Sequence, residues 1–166
     1  MRELTATIAF TTHALGANKA TDGKFLIART ADHRLVFPRS KLQERLILAA
    51  NVFGKHQEAV KEVQWDMVLD AKLVTDCWYK RYYETGNKKK RYALHESFVP
   101  GQVIGLNCVV PATISDDDFW SLLQLVGTYY GLSYWRLSGF GLFEVKSLRQ
   151  RRNHKLEANI NDIEDS

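Results

Sequence analysis

The segment 115–145 constrains the fold most, because its residues form one helix that runs into a glycine-punctuated loop and then a strand. Ser115 can cap the helix, and Asp116, Asp117 and Asp118 crowd the turn where the helix dipole favours negative charge. Phe119, Leu122, Leu123, Val126 and Tyr130 fall on one stripe that must be buried, and a sheet containing the strand 140–145 is the natural cover. Three adjacent aspartates also suggest a metal, but consecutive residues at a helix start point in different directions, so capping is their expected role. Between helix and strand lie Gly131-Leu132-Ser133, then Tyr134, Trp135 and Arg136, then Gly139-Phe140-Gly141. Glycine lets backbone approach a ligand closely and offer bare amides. Two rings beside a planar cation are the groups that hold unstacked bases and phosphates. The same loop also suits a tight helix-to-strand connection with its aromatics in the core.

Upstream, Leu4, Ala6, Ile8 and Phe10 alternate with polar or small residues over 3–11, the period of a half-buried strand. Residues 13–23 have loop composition, 25–29 form a short strand, and Asp32-His33-Arg34 can turn the chain. Pro38 suits the first turn of a helix in which Leu42, Leu46, Ala49, Ala50 and Phe53 share one face, with Gly54 as its stop. Residues 63–71 and 103–110 have strand patterns. Between them, 73–83 and 91–99 are rich in β-formers and flank a polar tip, 84–90, which predicts a long hairpin.

Charge is clustered. The chain carries a formal +4 with a pI near 9.1, and residues 72–91 hold seven Lys or Arg against two acids. Residues 146–155 hold five against none, whereas 160–166 are acidic. On the hairpin, Lys80, Arg81, Lys88, Lys89, Lys90 and Arg91 interleave with Trp78, Tyr79, Tyr82, Tyr83 and Tyr92. That pattern suits an arm lying along phosphates, and equally a solvated hairpin whose lysines protect its edge from aggregation. A hydrophobic fraction of 45% with nineteen Trp, Tyr and Phe excludes a disordered chain. No apolar run approaches the ~18 residues of a membrane span and the N-terminus lacks a leader pattern, so a cytoplasmic protein with no membrane partner is expected. Cys77 and Cys108 are widely spaced in apolar or aromatic settings, as buried thiols are. No P-loop, dinucleotide fingerprint or zinc spacing occurs, so neither metal nor cofactor is expected.

Without the hairpin the order is strand, strand, helix, strand, strand, helix, strand, which approaches the β-α-β-β-α-β plan of the ferredoxin-like fold, an α+β architecture with two helices on one face of an antiparallel sheet. One domain is expected over 1–148, with 72–99 as a hairpin insertion and 149–166 as a charged tail. The uncovered sheet face is the one on which RNA-recognition domains stack bases.

With helix, glycine loop and last strand in place, the C-terminal third resembles the repeat-associated RAMP proteins of CRISPR systems, small ferredoxin-like RNA binders that end in a glycine-rich loop and strand. The matching residues are Gly131-Leu132-Ser133 and Gly139-Phe140-Gly141-Leu142-Phe143. The chain is also similar to a tailed-phage protein family with RAMP-like members. Its pattern is a proline before an apolar helix ending in alanines (38–50), a strand (98–110), an acid-capped helix (115–131) and Gly-aromatic-Gly-x-Phe-x-Val (139–145). The likeness spans most of 25–148 and does not extend to the aromatic arm.

These features together lead to the expectation of a non-catalytic, phage-encoded binder of single-stranded RNA or DNA. Tyr134, Trp135 and Arg136 would stack or pair, Gly139, Phe140 and Gly141 would give close approach, and the six hairpin cations would hold phosphates. A second copy of the chain is an expected partner, with the arm reaching its neighbour. A host or phage protein met by the hairpin aromatics, including a defence complex to be inhibited, is the alternative. The RAMP resemblance also implies a third reading, metal-independent RNA cleavage. There a histidine near the first helix acts as base, and His13 is the nearest candidate, with Lys19 or Lys24 as cation. His33 and His95 are expected to be structural, His56 and His154 exposed.

Overall fold

The computed structural model describes residues 1–37, 39–73, 75–133 and 139–151. The principal sheet contains β1 (Arg2–Phe10), β5 (Gln64–Asp66), β8 (Val103–Val110) and β9 (Phe143–Gln150), in the order β5-β8-β1-β9, every pair antiparallel. With α1 (Arg39–Phe53) between β1 and β5, and α2 (Asp116–Leu125) between β8 and β9, this is the ferredoxin-like plan. Leu4, Ala6, Ile8 and Phe10 meet Leu42, Leu46, Ala49 and Ala50 of α1 and Phe119, Leu122 and Leu123 of α2 in one core. Gly54 ends α1 at φ 76 with its amide on the Ala50 carbonyl, the left-handed stop its position predicts. Ser115 caps α2 by accepting from the Asp118 amide, while Asp116 turns to Arg2 and Asp118 to His56, so these two aspartates of the first turn point apart.

A second, mixed sheet is built from insertions. Strands β6 (Cys77–Glu84) and β7 (Lys90–Phe98) form the expected hairpin in unbroken register from Cys77↔Ser97 to Glu84↔Lys90. The other edge of β7 takes β2 (Ala14–Leu15) antiparallel and then β4 (Phe25–Leu26) parallel, with β3 (Asn18–Lys19) outside β4. The segment 13–23, expected to be loop, thus holds two short strands, because β7 offers an edge to β2 and β4 offers one to β3. Phe10, Phe37 and Phe98 join the two sheets, with Phe98 centred 5.5 Å from each of the other two rings.

Three expected strands differ in extent. The run 25–29 leaves its ladder after Leu26, because the Ile27 amide binds the Glu96 carboxylate and Arg29 bridges to Leu35. The run 63–71 pairs with β8 only over Gln64–Asp66. The Asp66 side chain then accepts from the Val68 amide and turns the chain toward residues 35–37. The last strand begins at Phe143 rather than 140 and continues beyond residue 145 to Gln150, which pairs with Leu4. Residues 149 and 150, placed in the charged tail by the sequence, are therefore sheet. Among the described residues no helix is long and apolar enough to cross a membrane.

Candidate nucleic-acid interface

The sequence singles out two features, the glycine loop and the basic hairpin, and the fold brings them together. Tyr79 on β6 lies between His13 and Phe140, with ring centroids 4.9 Å and 5.3 Å away. His13 follows β1 and its Nδ1 is 3.3 Å from the Ser97 hydroxyl, while its carbonyl accepts from the Gly141 amide at 2.7 Å. The root of the arm, the end of β1 and the glycine loop thus form one contact surface. Tyr134, Trp135 and Arg136 lie outside the described residues, as does His154.

The two ends of the loop pack on each other. Leu132 donates to the Gly141 carbonyl at 2.8 Å. A Cβ on Gly131 would stand 2.5 Å from the Phe140 carbonyl oxygen, and one on Gly141, at φ 69, 2.3 Å from the Ser133 nitrogen. The close approach at Gly141 is therefore made to Ser133, and its amide, expected to be bare, is bound to His13. Gly139, at φ 91, faces open space. Arg45 of α1 holds the same junction by donating to the Gly131 and Ser133 carbonyls at 2.6 and 3.1 Å. The Ser133 hydroxyl accepts from the Leu15 amide at 2.9 Å. Neither contact leaves a local sequence signal, since each partner is more than 80 residues away.

The hairpin presents cations stacked on rings. On one face Lys80 Nζ lies 4.1 Å from the Tyr92 centroid and 5.8 Å from that of Tyr82, and the two tyrosines form an edge-to-face cross-strand pair. Lys24 covers Trp78 at 5.2 Å. On the other face the Arg81 guanidinium lies 5.4 Å over Tyr83. Trp78, Tyr82, Tyr83 and Tyr92 are all exposed. At the tip, Thr85 and Lys88 close a turn with Lys88 left-handed at φ 55, and Lys88, Lys89, Lys90 and Arg91 are exposed. From Tyr79 to Glu84 the arm extends roughly 17 Å at a strand's ~3.3 Å per residue, so its tip cations stand well away from the loop.

Arg81 is oriented by a buried histidine. His95 donates from Nδ1 to the Gly16 carbonyl (2.6 Å), and its Nε2 accepts from Arg81 Nε at 3.1 Å. Burial and the neighbouring guanidinium, against the Gly16 bond, lower its pKa from the usual 6.5 and favour the neutral ring. Phe25 stacks on it at 4.6 Å. Beside it, burial would raise the Glu96 pKa, but bonds from Arg29 and the Ile27 amide outweigh this and hold the carboxylate below its usual range. His95 is structural as expected. His33, by contrast, is an exposed turn residue at φ 67, and His56, expected to be exposed, is nearly covered and bound to Asp118 at 2.6 Å. The two cysteines are free; burial pushes the Cys108 thiol up to about 12, and Cys77 is half-buried.

The uncovered face of the principal sheet carries Thr5, Thr7, Gly105, Asn107, Gln64 and Asp66. No aromatic ring of the described strands lies on it, so it lacks the stacking platform that an RNA-recognition domain would place there. The rings are on the hairpin instead.

Sheet order and helix placement define an α+β protein of ferredoxin-like fold. Among solved structures the chain is similar to one in the cryo-EM structure of the type III-B Cmr-beta bound to cognate target RNA, with a TM-score of 0.60 and 16% identity. The match covers 89% of this chain and 60% of that one, so this chain spans less than two thirds of its neighbour's length. No family model and no curated protein matches the chain.

Proposed function

We propose that the protein binds single-stranded nucleic acid, RNA in the first instance, without cleaving it. The observation that carries this reading is the set of cation-capped, exposed rings on an arm whose root is docked on the glycine loop. Exposed rings supply stacking surfaces for bases of any sequence, and the interleaved Lys and Arg supply phosphate contacts. The RAMP-like fold, shared with a chain from an RNA-bound assembly, supports it. Repeated binding along a strand, each arm reaching the next copy, is the associated assembly, and the motif pattern of 38–50 and 139–145 supports a tailed-phage origin acting in the host cytoplasm. Catalysis is not part of the proposal. His13 is engaged with Ser97 and Tyr79, and no second titratable group is hydrogen-bonded to its ring among the described contacts.

Fluorescence anisotropy with labelled single-stranded RNA, single-stranded DNA and duplex DNA across a salt series tests this. Tight, steeply salt-dependent binding to a single-stranded form is expected, with the RNA intact afterwards. Equal, weak binding to all three would refute it. Exposed Trp and Tyr are also protein-interface anchors. One stoichiometric protein retained after nuclease treatment would therefore favour a protein partner, including a defence complex held inactive.

A further inference from the structure

A groove of about 610 Å³ opens where β7 runs past the end of β4. Lys19, Lys24 and Arg81 line it against one acid, Asp22, and Phe25, Tyr83 and Tyr92 supply aromatic walls. Lys24 is 3.7 Å from Asp22, so the groove keeps a positive excess that suits phosphate. Its size is within the roughly 300–1,000 Å³ typical of small-ligand sites.

The backbone adds polar groups. The Gly16 amide donates to the Glu96 carbonyl at 2.9 Å, so the peptide groups of Glu96 face the β2–β4 side of β7. Strand alternation puts those of Leu94 and Tyr92 on the same side. β4 meets β7 only at His95, so the Tyr92 N–H and C=O have no strand opposite them among the described residues. Tyr92, a residue 54% exposed, therefore brings a ring together with a donor and an acceptor at the groove.

We propose that this groove is a nucleotide subsite. The base lies against Tyr92 with its polar edge on the Tyr92 peptide groups, and the flanking phosphates meet Lys19 and Lys24. The assignment rests on the nucleic-acid reading above and adds to it a fixed point at which one base of the strand is held. That point is distinct from the phosphate contacts at the hairpin tip.

The test uses the full chain with single-stranded RNA carrying 4-thiouridine, photo-crosslinked and mapped by mass spectrometry, beside anisotropy of Lys19→Gln/Lys24→Gln and of Tyr92→Leu. Crosslinks at Tyr92 or Phe25 are expected. The double lysine variant should lower the salt slope by about 1.4, at about 0.7 per phosphate on a single strand. Loss of one stacked base predicts roughly 5- to 150-fold weaker binding for Tyr92→Leu. These side chains are solvent-facing, and unchanged melting temperatures verify that the variants fold. RNA bound normally, with crosslinks confined to other segments and an unchanged slope, overturns the subsite and leaves the nucleic-acid reading intact. No binding to any strand overturns both.

Discussion

Tyr79 of the hairpin meets Phe140 of the glycine loop edge to face, with ring centroids 5.3 Å apart and planes at 78°. The two residues are 61 positions apart, and their contact ties the arm to the loop, so that whatever seats on one is positioned relative to the other. Such pairs contribute about 0.5–1.5 kcal/mol beyond area burial. A double-mutant cycle of Tyr79→Ala and Phe140→Ala, read by urea unfolding, is expected to give a coupling in that range. Strict additivity would mean that arm and loop are energetically independent.

The glycines of the loop differ in what surrounds them. At Gly139 an alanine meets open space and costs only the left-handed backbone, about 1–2 kcal/mol. At Gly141 the same backbone cost is joined by a Cβ 2.3 Å from the Ser133 nitrogen, where the obstacle is main chain and cannot swing away. Gly141→Ala should therefore melt well below Gly139→Ala. Equal melting temperatures would show that the two ends of the loop do not pack as described.

Arg45 is a positioning residue for the same junction. Its burial depresses the guanidinium pKa, and its two charge-assisted bonds to the Gly131 and Ser133 carbonyls offset that desolvation. Arg45→Met keeps the stem and removes both bonds. At about 1.5–3 kcal/mol for each bond to a charged group, unfolding free energy should fall by about 3 kcal/mol or more. A loss below about 1 kcal/mol, the size expected of a solvated surface arginine, would contradict this.

His95 makes stability fall on the acid side of neutrality. Its folded pKa lies below the unfolded 6.5, so the folded state binds fewer protons there, and stability present above pH 6.5 is lost as pH falls toward the folded value. Protonation would put an Nε2 hydrogen against Arg81 Nε–H. Glu96 is also depressed, and its contribution is lost lower, as pH falls below its ordinary 4.5. Thermal unfolding from pH 7.5 to 3.5 should show both losses. In His95→Phe, less stable throughout because the Gly16 carbonyl loses its donor, the upper one should vanish. A wild-type-like slope between pH 6.5 and 5 in that variant would place the titration elsewhere.

Much of this architecture was legible because it depends on local periodicity. The stripe of α2, the Ser115 cap, the Gly54 stop and the hairpin tip all depend on residues within a turn of each other, and they are where the sequence places them. The β2 and β3 pieces were not legible, since two-residue strands carry no period and exist because β7 and β4 offer them edges. The end of β9 was hidden for a related reason. Arg149 and Gln150 suit a solvated tail by composition, and only pairing with β1 makes them strand. At the site, the grouping of cations and rings was visible along the hairpin, but His13 beside Tyr79, Arg45 beneath the loop and the covered His56 depend on contacts across the chain. The glycine pattern was seen as a means of approaching a ligand, whereas Gly131 and Gly141 first serve the approach of the loop to itself.

If the arm holds phosphates, the salt dependence of binding to single-stranded RNA reports it most directly. The variant should keep the tip's geometry while removing its charge. Lys88 is left-handed and is best replaced by Gly, which relieves roughly 1 kcal/mol of backbone cost, with Lys89→Gln and Lys90→Gln beside it. If all three lysines meet phosphates, the slope of log affinity against log salt should fall by about two units, at about 0.7 per phosphate, with weakening that does not depend on sequence. An unchanged slope in a variant that melts at or above the wild-type temperature would remove the tip from the interface and contradict phosphate binding by the arm.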